Sequence, residues 1–483
     1  MTTAPAPATT VDYLEQHAFA QPGKVALSVD GQAFSYQRFF RDVMRVTAAL
    51  QAQGLGVPGS TAAVGHDDLY QHWLLLLACE NLGVATASFS QTEWQALPEL
   101  IGAVDSVLVD MPPAVPVPTT RALDSAWFDQ ALRMPWHDTA CVQRTRSPLQ
   151  APQRISRSSG TTHAPKLMLL SRLSFEQLVQ RQIDSQALNA EAVLYQGTPL
   201  AVNTVYAAAC ACLRLGATVV RGALLPTLLS QRVTHLRCLT GTLVNLLQQW
   251  PVDAPQLAAL RIGTGGGPLP PALRARALAT LCGEVTNGYG ANEVGGVCLL
   301  DDDATGIVAA GVDLRIVDDD DCSLPIGAVG HIAIRSPGMV DGYWRDAGLT
   351  ARHFRGGWFY PGDTGRLLSP RRLALLGRSD DMLNLGGIKH SPTAIENTFL
   401  AHPLVEAAAV TAVTEADGKE ALLVALVLSD PSALTDVGRA VQQTLPSWAQ
   451  RLRLLGLATL PTTPNGKVQR QALKSMHAAL KSR

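Results

Sequence analysis

The chain has 483 residues, 47% of them hydrophobic and 16% charged, which is too long for one hydrophobic core and apolar enough for two or three. Lys+Arg 39 against Asp+Glu 40 leave a formal net charge of -1, so no broad basic surface marks a nucleic-acid partner. No stretch qualifies as a membrane span, since the best one, residues 201–220, carries Asn203, Thr204 and Arg214.

Residues 1–10 are rich in Ala, Pro and Thr, with no basic flank or apolar core. They predict a disordered lead-in rather than a signal peptide, and hence a cytoplasmic protein. Alternating helix and strand patterns then run from residue 11 to about 375. Residues 39–52 place Phe40, Val43, Val46 and Leu50 at helical spacing and stop at Gly54. A strand over 60–64, a helix over 73–82 and a strand over 84–89 follow. The rhythm returns at 178–188, 205–215, 218–220, 236–239 and 244–250. This alternation implies an α/β fold of layered helices on mainly parallel sheets.

The Pro-rich residues 112–118 predict a surface linker. Beyond Val312 the pattern changes to short strands at 313–317, 331–335 and 373–376, a β-rich subdomain. From Met382 a smaller α+β unit follows, with a helix near 393–401, strands at 405–413 and 421–428, and a helix at 437–445. The acidic pair after Gly377-Arg378-Ser379 marks the boundary, giving a large N-terminal domain, 11–379, and a small mobile C-terminal domain, 380–483. The eight cysteines lack metal-type spacing; Cys210-x-Cys212 has no second pair or His nearby. They predict buried free thiols in a reducing compartment.

Chemistry concentrates in six segments. After a Pro/Gln/Arg-rich stretch comes Ser158-Ser159-Gly160-Thr161-Thr162-His163-Ala164-Pro165-Lys166. Its hydroxyls, backbone N–H groups and ammonium suit a polyphosphate, although Pro165-Lys166-Leu167 rules out the P-loop pattern of kinases and GTPases. Gly265, Gly266 and Gly267 follow an apolar strand at 260–262 and would let a flat ring approach the backbone. Asn287-Gly288-Tyr289-Gly290-Ala291-Asn292-Glu293 puts an aromatic ring and a carboxylate in one bend. Asp363 ends Trp358-Phe359-Tyr360-Pro361-Gly362-Asp363, and Arg378 ends Leu376-Gly377-Arg378; such an acid can accept ribose hydroxyls. Pro464-Asn465-Gly466-Lys467 presents one lysine near the end of the sequence. Taken singly, each segment also fits an ordinary solvated turn.

In this order and spacing the segments, with Gly327-Ala328-Val329-Gly330 and Gly342-Tyr343-Trp344 between them, resemble the adenylate-forming (AMP-binding) superfamily. That superfamily includes acyl- and aryl-CoA synthetases, adenylation domains of nonribosomal peptide synthesis and beetle luciferase. The resemblance covers nearly the whole chain. It implies that a carboxylate attacks the α-phosphate of ATP, giving an acyl-adenylate and pyrophosphate. A thiol, CoA or the phosphopantetheine of a carrier protein, then takes the acyl group.

Carried over by motif, Ser158, Ser159, Gly160, Thr161, Thr162 and Lys166 would wrap the β- and γ-phosphates. Tyr289 and Gly290, with Gly265 to Gly267, would flank adenine, and Asp363 and Arg378 would hold the ribose. Asn292 would sit near the α-phosphate and Glu293 would bind Mg²⁺. Lys467 would bridge the attacking carboxylate and the α-phosphate, countering charge in the transition state. Asp380 matches the hinge about which the small domain swings between the two half-reactions, and Gly386 and Gly387 would line the pantetheine tunnel. The sequence departs from the superfamily at His163, where glycine is usual, and at Asn292, where threonine is usual; neither removes a group that the mechanism requires.

Residues 198–203 match the acyl-pocket region, and no aspartate stands between Gly197 and Ala209 to meet a substrate ammonium. A small aromatic or short aliphatic acid is expected, lined by Asn203, Tyr206, Thr240, Gly265 and Ala291. The acceptor stays open between free CoA, a discrete carrier protein acting in trans, and an amine giving an amide. A non-catalytic nucleotide-binding homologue is the rival from another class, opposed by the intact Lys467 and Glu293.

Overall fold

The computed structural model describes residues 8–90, 93–94, 97–112, 117, 119–158, 166–197, 199–379, 383–385, 388–390, 392–415, 420–446, 449–462 and 468–481. The chain divides into two compact units. The first comprises Met1–Arg237, Asn292–Gly295 and Ser336–Phe354, and the second Cys238–Ala291, Gly296–Arg335 and Arg355–Arg483.

The first unit is built around helices that bury one face or, in places, every side. Leu69–Leu82 is the clearest case: Trp73, Leu74, Leu75, Leu76 and Leu77 are all fully buried. A helix apolar all round belongs in a core rather than at a surface. Its start is fixed by Asp68, whose side chain accepts from the Gln71 N–H. Its end is fixed by Gly83 at φ 73°, where a Cβ would also lie 2.8 Å from Thr145. Tyr36–Ala52, Arg172–Gln186 and Asn203–Arg214 share this core. Beside them lies a six-stranded sheet in the order Thr120–Ala122, Ser106–Val109, Thr61–Gly65, Ala85–Ser88, Pro152–Ser158, Lys166–Ser171. Its neighbours are parallel except the last pair, an antiparallel hairpin that sets Ser158 opposite Lys166. A second group of strands joins Val25–Val29, Thr218–Arg221 and Val193–Tyr195 in parallel.

In the second unit Leu257–Gly265 and Cys282–Ala291 are parallel, joined by the helix Pro271–Thr280. Antiparallel strands follow, among them Thr305–Val308, Gly330–Arg335, Asp363–Ser369 and Arg372–Arg378. From Leu383 onward the chain builds a core of its own. Phe399, Val410, Val424 and Leu426 pack between helices and a three-stranded sheet of Val405–Thr414, Glu420–Leu428 and Leu452–Gly456. That segment is tied to the rest of its unit by Glu406, which receives Arg276 Nη1 at 2.9 Å and Gln248 Nε2 at 3.4 Å.

The layered α/β class and most predicted elements are therefore observed, with ends shifted by a few residues. The helix read as 73–82 starts at Leu69, and that read as 244–250 starts at Thr240. The antiparallel region begins before Val312, already at Gly295–Leu300, which pairs with Thr305–Val308. All eight cysteines are free, but Cys141 and Cys322 are exposed and Cys238 is half-buried, against the expectation that all would be buried. Burial holds the Cys210 thiol up to about 12, so the Cys210-x-Cys212 pair behaves as core rather than as a ligand pair. No helix among the described residues is long and apolar enough to cross a membrane.

Candidate active site

In the second unit, sequence-distant residues converge on one carboxylate. Asp363 opens the strand Asp363–Ser369, Arg378 closes Arg372–Arg378, and the antiparallel register sets them directly opposite each other. Arg378 Nη1 stands 3.6 Å from Asp363 Oδ1 and donates to the Pro361 carbonyl at 2.7 Å. Gly362, at φ 81°, immediately precedes Asp363; a Cβ there would meet the Arg378 guanidinium at 3.3 Å. The third partner arrives from the parallel pair. Gly265 lies opposite Gly288, so that Tyr289 follows immediately, and its hydroxyl donates to Asp363 Oδ2 at 2.7 Å. Burial and the neighbouring Asp363 push the Tyr289 hydroxyl well above the usual phenol range, which keeps it a donor. Tyr289, Asp363, Arg378 and the glycine run 265–267 thus share one locality. Gly266 sits at φ 80°, where only glycine is unstrained.

In the first unit a second polar chain forms around Glu293, which is buried. Tyr343 donates its hydroxyl to Glu293 Oε1 at 2.8 Å. The Lys166 ammonium lies 5.1 Å from the centre of the Tyr343 ring and 3.2 Å from His353 Nε2. An ammonium has no lone pair, so the imidazole Nε2 is the acceptor in that contact. Asn292 Nδ2 donates to the Arg157 carbonyl at 3.4 Å, on the strand that ends at Ser158. Lys166, Asn292 and Glu293 are therefore joined through Tyr343 and the hairpin. His353 carried no signal in the sequence, and Tyr343 only its place in the Gly342-Tyr343-Trp344 motif. Among the described residues no group of three or more His, Cys, Asp or Glu side chains could hold a metal ion.

The other predicted positions are distributed as follows. Ser159, Gly160, Thr161, Thr162, Asp380, Gly386, Gly387 and Lys467 lie outside the described residues. Asn203 opens its helix and is 1% exposed, with both carboxamide atoms buried and without a hydrogen-bond partner. Tyr206, one turn on, packs between Trp73 and Phe175 at 5.4 and 5.5 Å. The Thr240 hydroxyl donates to the Pro268 carbonyl at 3.1 Å, while Ala291 ends its strand half-buried.

Two profiles match this sequence: that of the AMP-binding enzyme over residues 104–344, and that of the AMP-binding enzyme C-terminal domain over residues 394–467. The chain belongs to the AMP-binding enzyme family. It is a ligase of that family, and both residue clusters are assembled from segments within or beside the matched regions. Among its relatives is the indoleacetate–CoA ligase of Aromatoleum aromaticum, 26% identical over 97% of this chain and 98% of that one. The fatty acid–[acyl-carrier-protein] ligase ScoC of Streptomyces coeruleorubidus is 26% identical over 96% of both chains. ATP-bound MatB from Rhodopseudomonas palustris shares the fold of this AMP-binding enzyme with a TM-score of 0.82, at 21% identity, covering 98% of this chain and 100% of that one.

Proposed function

We propose that this AMP-binding enzyme condenses a small carboxylic acid with ATP and passes the acyl group to a phosphopantetheine thiol, with free CoA as the acceptor. The observation that carries the reading is the convergence of Tyr289 and Arg378 on Asp363. A carboxylate held by the Tyr289 hydroxyl and faced by the Arg378 guanidinium is suited to accept ribose hydroxyls. The glycines beside Tyr289 leave room for a purine on its face.

In the first half-reaction a carboxylate oxygen of the acid bonds to the α-phosphorus as the bond to pyrophosphate breaks. Lys166 supplies positive charge to the phosphate chain, and Lys467, assigned from the sequence alone, neutralises charge at the reacting oxygen. Glu293 is a single carboxylate oriented by Tyr343; this fits Mg²⁺, which keeps several waters and is held by one or two carboxylates together with phosphate oxygens. When bound, Mg²⁺ offsets phosphate charge. In the second half-reaction the thiol sulfur attacks the acyl carbon and AMP leaves.

Likeness to an acyl-carrier-protein ligase favours a second reading, transfer to a discrete holo carrier protein. Pyrophosphate release across a panel of carboxylic acids tests the first step. Acid-dependent release is expected, and its absence for every acid would overturn the reading. Adding CoA or a holo carrier protein then distinguishes the acceptors by which thioester forms.

A further inference from the structure

Arg154 carries a full charge into the core of the first unit without a carboxylate to meet it. It is 1% exposed, on a strand whose alternate residues Arg154 and Ser156 point into the core. Nη1 donates to Thr86 Oγ1 at 3.0 Å, and Nη2 donates to Ser88 Oγ at 2.9 Å and to the Leu200 carbonyl at 2.6 Å. Its flat face lies over the Tyr206 ring, 4.2 Å from the centre. These partners are all neutral. Arg154 Nε and Ser156 Oγ have no hydrogen-bond partner, and among the described residues no Asp or Glu pairs with the guanidinium.

The surrounding groups cannot compensate the charge. His72 donates from Nδ1 to the His66 carbonyl at 3.0 Å, so its Nε2 accepts the Ser88 hydroxyl at 3.0 Å, and Ser88 in turn accepts from Arg154. This chain fixes a neutral imidazole and aims Ser88's lone pair at Arg154. Burial lowers both the Arg154 and the His72 pKa, and neither shift supplies an anion. Leaving a buried charge unpaired is strongly destabilising, a cost that a ligand anion would offset.

Arg154 also brackets Asn203 in sequence, touching Leu200 three residues before it and Tyr206 three residues after. Asn203 begins a 12-residue helix whose N-cap, Val202, provides no side-chain cap. The positive end of that helix and the guanidinium both favour negative charge, and the unpartnered carboxamide N–H can donate to it.

We infer that Arg154 and Asn203 form a buried anion subsite that selects an acid carrying a second carboxylate. The inference rests on the proposed activation of a carboxylic acid, because it names the tail of that substrate. One carboxylate reacts, while the other accepts from the open Nε–H of Arg154 and from the Asn203 amide.

The test uses matched acids in which one carboxylate is replaced by a methyl group: glutarate against pentanoate, and terephthalate against 4-methylbenzoate. Pyrophosphate release by the wild-type enzyme is expected to favour the dicarboxylate of at least one pair by 100-fold or more in kcat/KM. R154M is expected to bring that ratio near one, mainly through KM, and R154K to recover part of it. Preference for the methyl acid in both pairs, or a ratio that R154M leaves unchanged, would overturn the inference. If neither variant folds, the wild-type ratios alone decide. If no acid gives pyrophosphate, the proposed activity fails separately, and calorimetric binding of the same four acids decides the subsite. Dicarboxylate binding at least 100-fold tighter would uphold it, and equal or absent binding would overturn it.

Discussion

Asp363 and Arg378 are opposite partners in one antiparallel register, and the Tyr289 hydroxyl reaches the same carboxylate from a different strand at 2.7 Å. The carboxylate is therefore held from two sides before any ligand arrives. Asp363→Ala removes the acceptor and leaves the Tyr289 donor without its partner. A loss of about 1.4–2.8 kcal/mol is expected, read as a KM for ATP raised roughly 10- to 100-fold. Pyrophosphate release at varied ATP measures it. Tyr289→Phe keeps the ring and removes only the hydroxyl, so a rise of no more than about tenfold is expected. An unchanged KM in Asp363→Ala would remove Asp363 from the nucleotide site.

Glu293 offers a different readout. With Tyr343 on one oxygen, Glu293→Gln keeps the shape and loses the charge that a divalent cation needs. The expected result is a kcat about 100-fold lower, together with a Mg²⁺ requirement moved to higher concentration. Tyr343→Phe preserves the ring beneath Lys166, and a smaller effect is expected, within about tenfold. Titrating Mg²⁺ in the pyrophosphate assay checks both variants, and a Glu293→Gln enzyme with the wild-type Mg²⁺ curve would remove the metal assignment.

Much of this was readable in the residues. The helix Leu69–Leu82 announces itself by four consecutive leucines and a closing glycine. Glu293, Asp363 and Arg378 stand in short Gly-rich turns whose order along the chain is informative. Arg154 was not readable. It stands in a Pro/Gln/Arg-rich stretch that resembles a surface segment, yet it is 1% exposed. An arginine can be buried only where tertiary partners satisfy most of its donors, and here these come from Thr86, Ser88 and Leu200, which no local pattern links to it. The same applies to His353, which meets Lys166 across 187 positions.

The contact between Glu406 and Arg276 gives a handle on the C-terminal segment. The Glu406 side chain is only 10% exposed and serves Gln248 as well. Glu406→Gln discards the charge and keeps the size, and is expected to loosen the segment by about 1 kcal/mol. Limited proteolysis should then cut between Ser379 and Pro392 about five times faster, with the far-ultraviolet spectrum unchanged. Equal cleavage rates in the two proteins would show that this ion pair does not restrain the segment.

His72 should leave a mark on stability as a function of pH. Burial, with a smaller contribution from Arg154, lowers its pKa from 6.5 to about 4. Between those values the unfolded chain binds a proton that the folded chain does not, so stability falls as pH falls through that window. From pH 7 to pH 5 the loss from this residue is expected to be roughly 2 kcal/mol. Glu80 works in the opposite direction, since burial raises its pKa and the folded state gains relative stability on protonating it. The comparison of two proteins therefore isolates His72: His72→Gln should lose stability overall, yet show a pH 7 to pH 5 difference smaller than wild type by about that amount. Urea denaturation at both pH values measures it, and parallel curves for the two proteins would mean that the imidazole is protonated in the fold.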